Sequence, residues 1–155
     1  MEPLILDASV LIGLLDTKDS HHTRAVDQVE QADIAGQQLL TAANAYGEAL
    51  VAFARAKRLA DARDAIAGIG ITVVPLTGPI AERAAALRAR HHSLRLPDAL
   101  VLATADEHEG ALLTYDERLA RTARQGRKLK APRPGLQRAV VLGAGRQRRA
   151  ASACA

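Results

Sequence analysis

Apolar and polar positions along the chain alternate between two kinds of pattern, short unbroken apolar runs and longer stretches with helical spacing. Leu4-Ile5-Leu6 is an apolar run without polar alternation, as expected of a strand buried on both faces, and it ends at Asp7. Ser9 follows, and Val10, Leu11, Leu14 and Leu15 then recur with helical spacing. Residues 20–31 read as a second helix with Ser20 as its N-cap, and residues 38–41 as a short strand after Gly36. Asn44 is expected to cap a helix carrying Glu48, Val51, Ala52 and Arg55, and residues 61–67 form another, stopped by Gly68 and Gly70. The β-branched stretch 71–76 is the clearest strand, closed by Pro75 and Gly78. Pro79 opens a long amphipathic helix to about residue 91, and Pro97 opens one to about residue 109, stopped by Gly110. Residues 111–114 form a fourth strand ending beside Asp116, and a short basic helix runs on to about residue 125. Residues 139–142 are expected as a fifth strand.

Strands alternating with helices in this way predict a three-layer α/β/α sandwich with a mostly parallel central sheet of four to five strands. Chain length, 155 residues, fits one domain with its own core. Domain 1–142 is followed by a basic tail, 143–155, rich in Ala, Gly and Arg and expected to be disordered. Hydrophobic residues make up 48% of the chain and aromatics only 2%, so the core must be built from Ala, Leu, Val and Ile.

Charge changes the picture more than composition does. All 17 acidic residues lie at or before Glu117, whereas eight Lys or Arg and no acid lie from Arg127 onward. Residues 1–126 carry 13 basic against 17 acidic groups, a net of −4, so the overall +4 belongs to the C-terminal segment. A segment of that kind favours polyanions such as nucleic acid. The single cysteine, Cys154, permits neither an internal disulfide nor a cysteine-based zinc site. No basic region precedes the first apolar stretch and no apolar run is long enough to span a bilayer, so a soluble cytoplasmic protein is expected.

Four acids stand out because each falls where a strand ends or a helix begins, within apolar surroundings. They are Asp7 in LILDASVLIGLL, Glu48 in NAYGEALVAFA, Asp98 in LRLPDALVLATA and Asp116 in ALLTYDERLA. Ligand sites of parallel sheets lie outside the strand C-terminal ends, where Asp7 and Asp116 fall directly. Glu48 and Asp98 lie near helix starts that can face the same edge. Four carboxylates gathered there repel one another unless a cation joins them, which predicts a Mg²⁺ or Mn²⁺ site. Such an ion can activate water for attack on phosphorus, with one or two ions sharing the work.

These motifs, in this order, resemble those of PIN-domain ribonucleases, and specifically the VapC-type toxins of bacterial type II toxin–antitoxin systems. The resemblance spans roughly residues 4–124 and is most specific at LPDALVLATA. It implies that Asp7, Glu48, Asp98 and Asp116 form the catalytic, metal-binding set. Ser9 and Thr114 match the small hydroxyl residues beside the first and last acids, placed to bond a carboxylate or a metal-bound water. It further implies cleavage of RNA as substrate, inhibition by a cognate antitoxin protein, and a homodimer. The basic segment beyond Arg127 departs from the family's usual short ending.

Alternatives are a non-catalytic receiver-like signalling domain, a phosphohydrolase with an Asp nucleophile, and a PIN-like binding protein without activity. A receiver wants an acidic pair on its first strand and an Asp ending a middle strand, and this chain has only Asp7 on the first and none after residues 71–76. The phosphohydrolase wants an acid two residues after the first, where Ser9 stands. Adjacent His21-His22 and His91-His92 point apart on a helix and read as surface residues. Arg95 is balanced between a phosphate contact and an ordinary surface arginine. Small apolar residues Ala49, Ala52, Ala56 and Ala60 are expected on an outer helical face suited to a partner.

Overall fold

The computed structural model describes residues 1–127. The expected fifth strand at 139–142, the domain boundary at 142 and the tail 143–155 lie outside the described residues. Eleven elements follow one another among the described residues: β1 (Leu4–Leu6), α1 (Ala8–Leu15), α2 (His22–Ile34), β2 (Leu39–Ala42), α3 (Ala43–Arg55), α4 (Leu59–Gly68), β3 (Thr72–Val74), α5 (Gly78–Arg90), α6 (Leu96–Glu107), β4 (Ala111–Leu113) and α7 (Glu117–Arg127). The four strands form one parallel sheet in the order β3-β2-β1-β4, the α/β architecture expected. The chain moves outward from β1 through β2 to β3 and then crosses to β4 on the other side of β1. The reversal opens a crevice at the C-terminal ends of β1 and β4, the usual place for a ligand in such sheets.

Successive residues of β1 face opposite sides, as the pleat requires. Ile5 packs with Leu40, Val74, Ile80, Ala84, Ala99, Leu102 and Leu119, a core beneath α5, α6 and α7. Leu6 packs with Val10, Leu11, Ala25, Val29, Leu50, Ala62 and Ile66, a second core beneath α1 to α4. The two cores make the three layers. Short side chains let the helices lie close to the sheet in place of aromatic bulk. Thr41, fully buried on β2, satisfies its hydroxyl by donating to the Leu6 carbonyl at 2.9 Å.

Several local expectations are corrected. Ser20 does not cap α2; the Asp19 carboxylate accepts from the His21 N–H at 2.8 Å and its carbonyl from the His22 N–H at 3.0 Å. An aspartate makes this turn before the helix, and Ser20 stays exposed within it. Asn44 is not a cap either, because α3 already begins at Ala43; its side-chain amide instead donates to the Pro97 carbonyl at 3.1 Å. Ala49 is buried at 2% exposure under the sheet, while Ala52, Ala56 and Ala60 are exposed as expected. By contrast Thr77 caps α5, accepting from the Ile80 N–H at 3.4 Å, with Pro79 in the first turn.

The expected stop at Gly110 is corrected: α6 ends at Glu107 and Glu109 makes the left-handed turn with φ 52°, while Gly110 is held by close packing. A Cβ placed there would meet the Ile5 side chain and lie 2.8 Å from the Pro3 carbonyl. Gly110→Ala is therefore expected to cost about 1–3 kcal/mol, the usual range for overpacking. A urea midpoint equal to that of the parent protein would show that β1 can move to make room.

Candidate functional site

Strand register builds the centre of the site. Leu6 lies opposite Leu113, so the residues that follow them, Asp7 and Thr114, emerge side by side at the sheet edge. The Asp7 N–H donates to the Leu113 carbonyl at 3.1 Å, which holds the β1 end against β4. Thr114 donates its hydroxyl to Asp7 Oδ2 at 2.7 Å, and Ser9 donates to the same oxygen at 3.0 Å. Each hydroxyl has one proton, and both are spent on Asp7. The 3.4 Å approach of Ser9 Oγ to Thr114 Oγ1 therefore carries no further hydrogen bond in that arrangement. Their lone pairs are used as well: Ser9 Oγ accepts from the Tyr115 N–H at 3.0 Å, and Thr114 Oγ1 from the Asp116 N–H at 3.1 Å.

The acids share one design. Asp7 is 9% exposed, with Oδ2 held by two hydroxyls, while Oδ1 has no protein partner among the described residues. No described side-chain nitrogen or oxygen is both buried and unpartnered, so this oxygen reaches solvent. Asp116 accepts with Oδ1 from the N–H groups of Arg118, 2.8 Å, and Leu119, 3.1 Å, capping α7 and leaving Oδ2 open. Asp98, with a side chain 25% exposed, offers Oδ2 to the Arg95 Nε at 3.4 Å and leaves Oδ1 open. Asp98 and Asp116 line the same small cleft between the start of α6 and the start of α7, together with Ser93, Leu94, Arg95, Arg118, Leu119 and Thr122. Among the described residues no Lys, Arg or His side chain pairs with Asp7 or Asp116.

Glu48 behaves differently. Its side chain is exposed rather than crowded by the apolar residues around it in sequence. It sits one turn beyond Asn44 on α3, hence on the same face, and Asn44 is bonded to the carbonyl preceding Asp98. Asp7 and Asp116 are thus joined through Thr114, and Asp116 and Asp98 through a common cleft, with Glu48 set on the α3 face toward α6. Among the described residues no three His, Cys, Asp or Glu side chains stand close enough together to hold a metal ion in the present side-chain positions. The donor set nevertheless fits a hard divalent cation: oxygens only, one free oxygen on each of three aspartates, and no protein cation neutralising two of them.

Tyr115, Arg24 and Gln28, to which the sequence gives no signal, stiffen this edge together with His21, which is half-buried rather than the surface residue expected. The Tyr115 ring stacks on His21, with centroids 4.5 Å apart and planes 24° from parallel, and the Arg24 guanidinium lies 5.1 Å from the ring centre. The Tyr115 hydroxyl donates to Gln28 Oε1 at 2.8 Å. Arg118 gives only the weak signal of a cation two residues after Asp116. Burial raises the Tyr115 pKa above its ordinary 10.0, opposed by Arg24 and reinforced by Asp19. The folded protein then holds this proton more tightly than the unfolded chain does. The stability from this group is fully present below about pH 10 and is lost as pH rises through the folded pKa. Tyr115→Phe should remove that part of the alkaline decline in urea midpoint; an identical decline in both proteins would rule it out.

Thr114→Val tests the hydroxyl bridge. It keeps the shape but leaves Asp7 with one donor and the Asp116 N–H without its acceptor. Affinity for a divalent cation should fall about 10- to 100-fold, the usual effect of losing a group that orients a ligand carboxylate. Unchanged affinity in the folded variant would show that the bridge is only structural.

A PIN domain family model matches residues 4–125. Among solved structures, a toxin–antitoxin complex from Klebsiella pneumoniae is 27% identical, with TM-score 0.59 over 73% of this chain and 86% of that one. Mycobacterium tuberculosis VapC20, described as a sarcin-ricin loop cleaving toxin, is 17% identical with TM-score 0.62, covering 76% of this chain and 93% of that one. FitAcB from Neisseria gonorrhoeae is 20% identical with TM-score 0.59, covering 78% and 93%. Comparison with curated proteins gives no significant match. The matched span opens at the first residue of β1 and closes within α7, taking in every element of the described fold, and the chain belongs to the PIN domain family.

Proposed function

We propose that this protein is an endoribonuclease toxin of the VapC type, dependent on Mg²⁺ or Mn²⁺ and held in check by a cognate antitoxin. The observation that carries this reading is that Asp7 and Asp116 meet through Thr114 and Asp116 shares a cleft with Asp98, each aspartate hydrogen-bonded through one oxygen and open at the other. Membership of the PIN domain family supports nuclease chemistry, and the likeness to a toxin–antitoxin complex at 27% identity supports the toxin assignment.

Asp7, Asp98 and Asp116 would hold the cation, with Glu48 as the fourth acid reaching in from α3. When bound, such an ion supplies a hydroxide-like nucleophile from water and neutralises charge on the phosphodiester. Ser9 and Thr114 keep the Asp7 carboxylate in one rotamer by occupying Oδ2, so that Oδ1 stays turned toward the substrate. Asp116, restrained as the cap of α7, presents its free oxygen without further ordering cost. Pre-set ligands of this kind lower the entropy lost when cation and RNA assemble.

The outer face of α3 and α4 carries exposed Val51, Ala52, Ala56, Leu59 and Ala60, a small-residue and apolar surface suited to a helix from an antitoxin or from a second copy. Among the described residues no helix is long and apolar enough to cross a membrane. Incubating purified protein with total cellular RNA, with Mn²⁺ or with EDTA, and mapping the new ends tests the activity. Discrete metal-dependent ends are expected. Ends equally abundant in EDTA would defeat the metal-dependent reading, and no new ends at any Mn²⁺ concentration would defeat the nuclease reading.

A further inference from the structure

The cleft beside the acids has cationic walls. Arg95 and Arg118 both line it, from the start of α6 and the start of α7, together with Asp98 and Asp116. Arg95 uses only its Nε, in a 3.4 Å contact with Asp98, and its side chain is 76% exposed. Arg118 is exposed and its guanidinium has no protein partner among the described residues. The cleft is small and open to solvent, with room for waters or the oxygens of a phosphate.

We propose that Arg95 and Arg118 form a clamp for one backbone phosphate of single-stranded RNA, next to the phosphate at the aspartates, and that Arg95 leaves Asp98 when RNA and cation bind. The proposal rests on the nuclease reading above and adds the path of the substrate. An Arg fork matches two oxygens of a phosphate, and two arginines lining one cleft can share a single anion. The Arg95–Asp98 contact is an exposed ion pair, weak enough to open at little cost. While closed, it gives Asp98 a counter-charge in place of a divalent ion. The two arginines are therefore positioning residues with different signatures. Arg118 serves RNA alone, whereas Arg95 opposes the cation and assists RNA.

The test separates these effects by direct binding. Mn²⁺ affinity is measured by calorimetry on the full chain, and RNA affinity by anisotropy of a fluorescein-labelled single-stranded RNA of mixed sequence. The RNA measurement uses an Asp7→Asn background that suppresses cleavage. Arg95→Gln should tighten Mn²⁺ binding about two- to fivefold, the scale of an exposed ion pair. Arg118→Gln should leave Mn²⁺ affinity unchanged. Each should lower the slope of log affinity against log salt by about 0.7, which at 0.1 M salt relative to 1 M is about fivefold in RNA affinity. Both side chains are exposed, and equal urea midpoints confirm folding. Unchanged RNA affinity and salt slope in Arg118→Gln would overturn the clamp. Unchanged Mn²⁺ affinity in Arg95→Gln would overturn the exchange at Asp98. If Asp7→Asn alone leaves Mn²⁺ binding intact, the metal reading fails, while the RNA measurements still decide the clamp.

Discussion

Asp98→Asn should remove most RNA cleavage while leaving the protein folded. A carboxylate that holds a catalytic cation contributes several kcal/mol to the transition state, so the rate should fall by about 10²- to 10⁴-fold. Mn²⁺ affinity should fall in parallel, because a neutral amide is a poorer ligand than a carboxylate for a hard cation. The fold should survive for a local reason. The Asp98 side chain is partly exposed at the start of α6, and its one protein contact is the exposed pair with Arg95. Such pairs contribute about 0–1 kcal/mol. Cleavage assays with matched urea titrations check both parts. A fully active variant would remove Asp98 from the site, and an unfolded one would show that the pair with Arg95 matters more than its exposure suggests.

Ile5→Ala should produce the largest loss of stability. Ile5 is completely buried in the central strand and belongs to the core that joins β2, β3, α5, α6 and α7. Truncation leaves a cavity between two layers that short strands cannot easily close, at a cost of about 2–5 kcal/mol. That is a large share of the roughly 5–15 kcal/mol of a typical domain. The urea midpoint should drop accordingly. The β1–β4 register that pairs Asp7 with Thr114 should persist, so cleavage per folded molecule should change little at low temperature. A loss below about 1 kcal/mol would mean that the core relaxes around the deletion.

The parts of this molecule that follow local rules are legible from its residues. Leu4-Ile5-Leu6 reads as a buried strand because both faces of a parallel sheet are covered, and Pro79 and Pro97 mark helix starts through their own backbone constraints. Asp7 and Asp116 are readable as edge residues because each follows a strand. What depends on distant pairing is not readable. The Thr114 bond to Asp7 joins residues 107 apart and follows from strand register. Asn44 resembles a cap by its residue type, yet its amide reaches Pro97, 53 residues away. Glu48 has apolar neighbours in sequence, but on the helix Ala45, Ala49 and Leu50 face inward and leave Glu48 on the exposed side with Val51 and Ala52. Arg118 gains meaning only when α7 is brought against α6.

The open oxygens of Asp7, Asp98 and Asp116 are expected to bind a catalytic divalent cation. The most direct test is anomalous diffraction from crystals equilibrated with Mn²⁺ at a concentration that supports RNA cleavage. A peak bounded by Asp7, Asp98 and Asp116 is expected, at about 2.0–2.3 Å from their oxygens. A crevice without a peak under those conditions, or Mn²⁺ bound only elsewhere, would contradict it.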